Sequence, residues 1–210
     1  MDHKVYRQII NVIIKMLYDR SEQPVERYFF ERGSLDIYNM LPDEVIDNLM
    51  VREEKEADEV GKRNLEFRND EQKVNLCFLD ETTKFIERVT HITQSLSISG
   101  KNVLIIVITT MDRPSETILN TIIPNVQIFW YKQLCFSVVD HISVPKHEIL
   151  EQYKLPEIKK IYYLNTNKQL PFISQHDPIA KYYDMKVGDI CKITRNISNV
   201  GDSIFYRLVT

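Results

Sequence analysis

Val103-Leu104-Ile105-Ile106-Val107-Ile108 is the stretch that most limits what this chain can become. In an extended strand, successive side chains point to opposite faces, so an all-aliphatic strand must be covered on both sides. The run is far too short to cross a bilayer. Its neighbours supply the cover. Phe85, Ile86, Val89, Ile92 and Leu96 recur at helical spacing and predict a helix over 82–96, stopped by Gly100. A short helix is expected to start near Pro114, where proline suits N1, with Asp112 or Arg113 before it, and a further strand over Val126–Trp130. Strand, helix, strand, helix, strand is the order of a sheet flanked by helices.

The rest of the first two thirds fits the same plan. Val5, Ile9, Val12, Ile13, Met16 and Leu17 lie on one stripe of a helix over 2–19. Beyond Pro24 the pattern predicts a second short helix over 25–32, ending near Gly33, and a third opening at Asp43. The highly charged run from Arg52 to Glu59 reads as a solvated helix end or loop. Leu65 and Phe67, then Val74, Leu76 and Phe78, alternate as the arms of a hairpin turning near Asn69-Asp70. The expected architecture is an α/β N-terminal domain, helices plus a mixed sheet, over residues 1–140. A small α+β domain follows over 141–210.

In that second domain, Glu148–Ile161 is expected to be helical, interrupted or restarted at Pro156. Asp177-Pro178 is a strong helix start, because Asp accepts backbone N–H bonds as N-cap and proline at N1 needs no donor. Gly188 marks a turn into a strand over Asp189–Arg195, and Asn199–Asp202 turns the chain back into Ser203–Val209.

Composition narrows the function classes. The 43% hydrophobic content is ordinary for a globular protein, and the start, Met1-Asp2-His3-Lys4, lacks the apolar core of a signal peptide. The net charge of −3 argues against independent nucleic-acid binding; residues 141–210 are mildly positive and residues 1–140 mildly negative. Cys77, Cys135 and Cys191, each in an apolar context, are expected to be buried thiols in a reducing compartment. Twenty-six isoleucines against two alanines indicate an AT-rich genome, such as that of a large DNA virus or an AT-rich parasite.

Chemistry-bearing motifs are sparse. No zinc-like spacing joins the five histidines, and the five glycines form no phosphate-cradling loop. Asp70, Glu71, Lys73 and Asp80 have the makings of a Mg²⁺-dependent nuclease or resolvase, since an E-x-K with nearby aspartates can hold a metal and position a water. Such triplets are common in a chain with 27% charged residues. His141 and His147 read as hydrogen-bonding groups that brace the Val144-Pro145 turn. Arg195 and Arg207 lie near opposite ends of facing strands, where guanidinium forks suit carboxylates or carbonyls of a partner. Tyrosines such as Tyr206 add hot-spot character.

Five segments in order carry a family resemblance. They are His141-Ile142-Ser143-Val144-Pro145-Lys146-His147, Leu170-Pro171, Asp177 to Tyr183, Met185 to Arg195, and Phe205-Tyr206-Arg207-Leu208-Val209. Together they resemble the assembly domain of the fifth subunit of eukaryotic nuclear RNA polymerases, whose archaeal counterpart consists of the assembly domain alone. The resemblance thins upstream of His141. It departs at Phe172, Asp184 and Asn196–Asn199, where the family usually has arginine, glycine and proline-serine-glutamate-threonine. It implies a nuclease-like N-terminal jaw domain without nuclease activity, and a C-terminal assembly domain docking on the largest polymerase subunit. The implied partner surface comprises His141, Pro145, His147, Leu170, Pro171, Asp177, Pro178, Lys192, Arg195, Tyr206 and Arg207.

Further expectations follow from that resemblance. No catalytic residue, cofactor or metal belongs to this subunit; Mg²⁺ and Zn²⁺ belong to other polymerase subunits. Other polymerase subunits are its partners, and downstream DNA is touched only weakly and within the complex. No membrane attachment and no homo-oligomer are expected. The compartment is the nucleus for a cellular protein, and a virion or cytoplasmic factory for a viral one.

Overall fold

The computed structural model describes residues 3–20, 28–30, 33–35, 64–68, 73–79, 82–96, 98, 102–197 and 201–210. Contacts group the chain into two compact units, Met1–Phe136 and Ser137–Thr210.

The first unit holds a mixed sheet. Helix α1 (His3–Arg20) precedes strands β1 (Tyr28–Phe30), β2 (Gly33–Leu35), β3 (Asn64–Arg68) and β4 (Lys73–Leu79). Helix α2 (Phe85–Ser95), β5 (Val103–Ile108), helix α3 (Glu116–Leu119) and β6 (Val126–Trp130) complete it. The strand order is β2-β1-β3-β4-β5-β6; β4, β5 and β6 run parallel and the remaining pairs antiparallel.

The aliphatic run behaves as its composition requires. Leu104 to Ile108 are all buried. Leu104, Ile106 and Ile108 pack with Cys77, Leu79, Phe85, Val89 and Ile92, so α2 covers this face. The register places Ile105 beside Leu76 and Val107 beside Phe78 on the other face, where the Tyr6 ring of α1 meets Phe78 with centroids 4.6 Å apart. Arg20, at the end of α1, donates to Gln127 of β6 across 2.9 Å.

Two secondary-structure expectations fail in this unit. The stretch expected to be helical over 25–32 instead contains β1, paired antiparallel with β2 so that Phe30 faces Gly33. Tyr-Phe-Phe favours strand, and Phe29 pairs with Arg68 of β3, so sheet pairing prevails over local helix signals. Helix α3 starts at Glu116 and not at Pro114, because extended Ser115 is the cap, its hydroxyl accepting from the Ile118 amide at 3.4 Å. The expected helix at Asp43, the charged run from Arg52 to Glu59, the Asn69-Asp70 turn and Gly100 lie outside the described residues.

The second unit is built on a four-stranded sheet of order β7-β9-β10-β8. Its elements are β7 (Lys146–Ile149), α4 (Leu155–Ile161), β8 (Phe172–Ile173), α5 (Pro178–Tyr182), β9 (Ile190–Ile197) and β10 (Gly201–Val209). The expected helix over Glu148–Ile161 is corrected here. Its first part is the edge strand β7, antiparallel to β9, and only the stretch from Leu155 is α-helical, with Pro156 in the first turn where its missing N–H is harmless. Both faces of this sheet carry a core. One comprises Ile173, Ala180, Met185, Cys191, Ile193 and Val209; the other comprises Leu170, Ile190 and Leu208, with Leu155, Leu164 and Tyr206 against them.

Candidate functional site

The β7–β9–β10 register decides which candidate side chains share a surface. Ile149 pairs with Cys191, which pairs with Arg207; His147 pairs with Ile193, which pairs with Phe205; Arg195 pairs with Ser203. Directly opposed residues point to the same face, and alternate residues along each strand do too. His147, Arg195, Phe205 and Arg207 therefore stand on one face. Lys146, Glu148, Lys192 and Tyr206 stand on the other.

On the first face, His147 Nδ1 lies 2.7 Å from the Pro145 carbonyl oxygen, to which an Nδ1–H donates, so the half-buried ring braces its own turn. Burial lowers the His147 pKa; the Pro145 carbonyl and Asp177 oppose that, while Arg195 and Arg207 push it further down. Asp177 caps α5, its Oδ1 accepting from the Ile179 amide at 2.9 Å, with Pro178 exposed behind it. The Arg195 guanidinium carbon lies 5.5 Å from the Phe205 ring centre, a cation–π contact. The Arg207 side chain is half-buried and forms no hydrogen bond or ion pair among the described residues.

The opposite face is internally satisfied. Glu148 bridges Lys146 at 2.6 Å and Lys192 at 3.3 Å, and the Lys146 hydrogen bond is the largest cause holding the carboxyl below its ordinary pKa. Tyr206 meets Tyr162 edge-on with centroids 5.7 Å apart, and burial raises its phenol pKa.

The remaining candidates are tied into the scaffold by packing or local bonds. Leu170 is buried in the second core, and the Pro171 carbonyl accepts from the Leu208 amide at 2.8 Å, fastening β8 to β10. Exposed His141 accepts from the Ser143 amide through Nδ1 at 3.2 Å, within the same turn as half-buried Pro145. It is not brought to His147 by any bond in the structure.

The partner surface expected from the sequence leaves out Phe205 and Ile149, respectively 47% and 44% exposed on the His147 face. Only the register reveals them, because either side chain reads equally well as core.

The nuclease-like set lies almost wholly outside what the structure describes. Asp70, Glu71 and Asp80 lie outside the described residues, and of Lys73 only its backbone pairing with Arg68 is described. Among the described residues no three His, Cys, Asp or Glu side chains come together as metal ligands would, and no helix is long and apolar enough to cross a membrane.

Comparison with known proteins matches the second unit to one family. Residues 136–209 fit the profile described as the RNA polymerase Rpb5 C-terminal domain. The chain is 49% identical over 74 residues to DNA-directed RNA polymerase subunit Rpo5 of Archaeoglobus fulgidus, covering 35% of this chain and 96% of that protein. It is 31% identical over 136 residues to subunit RPABC1 of DNA-directed RNA polymerases I, II and III of Caenorhabditis briggsae, covering 63% and 64%. It is 28% identical over 122 residues to DNA-directed RNA polymerase V subunit 5C of Arabidopsis thaliana, covering 58% and 52%. Nothing among these relatives supports a nuclease. With an archaeal relative covered almost end to end and eukaryotic relatives matched beyond the second unit, the chain belongs to the family of the fifth, non-catalytic subunit of DNA-directed RNA polymerases.

Proposed function

We propose that this subunit docks on the largest polymerase subunit through its C-terminal unit, and that the N-terminal unit, nuclease-like in fold, forms part of the lower jaw near downstream DNA. The observation that carries the docking half is a coincidence of boundaries: the family match over 136–209 coincides with the compact unit 137–210. What the family profile covers is thus a self-contained module, as expected of a part that must fit a fixed seat. The named partner is an expectation of the family resemblance; a half-buried, unpaired Arg207 is compatible with it.

Contact with DNA, in this reading, is made through phosphates inside the assembled complex and is weak for the isolated chain, in keeping with the net charge of −3. Metal-dependent nucleotidyl transfer falls to other subunits. The complex works in a nucleus, or in a viral factory or virion should the chain be viral.

Affinity purification of the tagged full-length chain from its native source tests this. The largest polymerase subunit should be retained in near-stoichiometric amount. Its absence, with the chain eluting alone on size exclusion, would overturn the assignment.

A further inference from the structure

We infer that the His147 face of the C-terminal sheet receives a carboxylate-bearing segment of a partner polypeptide, with Arg207 as its main contact. This rests on the docking reading above and names the chemistry at one point of it.

Arg207 is the starting point. A guanidinium carries five N–H donors in a fixed fork. Here it is half-buried and spends none of them on a hydrogen bond or ion pair among the described residues. In the free chain water satisfies its exposed side. A partner that covers the residue must supply acceptors, because a buried unpaired charge is strongly unfavourable.

The surroundings fix the sign of those acceptors. Phe205 neighbours Arg207 on the same face of β10, and the Arg195 guanidinium lies over its ring. His147 feels both arginines. Asp177 is the carboxylate that also acts on His147, and its Oδ1 is engaged by the Ile179 amide. Positive charge on this face therefore exceeds the negative charge facing it.

The apolar border argues for a polypeptide over a nucleic acid. Phe205 and Ile149 are close to half exposed beside the arginines, the mixture of aromatic, aliphatic and Arg found at the centre of protein interfaces. Binding along a phosphate backbone calls for repeated cations. Lys146 and Lys192 are on the opposite face, tied to Glu148, and Lys186 is bonded to Asp184 at 2.6 Å. No lysine track accompanies Arg207 among the described residues.

Carbodiimide cross-linking of polymerase purified through the tagged full-length chain carrying Arg207→Lys provides the test. This reagent joins an amine to a carboxylate in direct contact and adds no spacer. The substitution retains the charge, so the complex should form, and mass spectrometry should find position 207 linked to an Asp or Glu of another polymerase subunit. In parallel, Arg207→Glu should lower retention of that subunit by about tenfold or more, with an unchanged melting temperature for the free chain.

An intact complex in which other lysines cross-link and position 207 does not would overturn the inference while leaving the docking reading standing. So would full retention of the partner by Arg207→Glu, or loss of retention on nuclease treatment, which would assign the face to phosphates. Failure of the unmutated chain to retain any polymerase subunit would instead remove the docking reading, and this inference with it.

Discussion

Single side chains in this protein are set apart by burial more than by type. Cys77 and Cys191 are both fully buried and burial pushes their thiols up, to about 12 and about 11. Cys135 departs from the sequence expectation of a buried thiol: it is half-buried after a short 3₁₀ turn, where burial raises its pKa and Lys132 draws it back. Thiolate is the reactive form. Ellman's reagent at pH 8 should therefore titrate Cys135 first in the native chain and reach Cys77 and Cys191 only after denaturant is added; three equally fast thiols would contradict this. His147 behaves by the same logic with the sign of a cationic acid. Its folded pKa lies below the ordinary imidazole value near 6.5, so between the two values the unfolded chain holds the extra proton. Its contribution to stability is complete above that window and declines as pH falls through it. Urea midpoints at pH 7.5 and 5.5 should thus differ more for the wild type than for His147→Gln, and equal differences would remove His147 as a source of acid sensitivity.

At the scale of elements, what the sequence made legible is what local chemistry decides. Asp177-Pro178 carries its own helix start, and the structure shows the cap bond to the Ile179 amide. Replacing Asp177 by Ala should lower stability by about 1 kcal/mol in chemical denaturation, and no change would mean the cap is satisfied otherwise. The buried strand β5 is legible for a similar reason, since an all-aliphatic run has few other places to go. What was not legible depends on a distant partner. Glu148 and Ile149 look like the start of a helix until β9 offers its edge, and Tyr28–Phe30 looks helical until β3 does. The split of Lys192 and Tyr206 from Arg195 and Arg207 is likewise a matter of register. One departure from the family pattern acquires a physical reading. Asp184 occupies left-handed backbone at φ +53°, where glycine is strain-free and Asp is among the better-tolerated alternatives.

For the whole molecule, the question is how much of the chain the family-defining module needs. The unit 137–210 has its own sheet with a core on each face, one under α5 and one under α4. Covering a sheet on both sides is how a small domain removes enough apolar surface from water to hold together. The archaeal relative points the same way, because 74 aligned residues make up 96% of it. Residues 137–210 expressed alone should consequently fold, giving dispersed amide resonances and one cooperative thermal transition. Ile193→Ala, at the centre of the α5-side core, should weaken that fragment by about 2–5 kcal/mol. A domain of this size has only a few kcal/mol to lose, so the variant should be largely unfolded at 37 °C. A fragment without cooperative melting would show that the module depends on residues outside its own two cores.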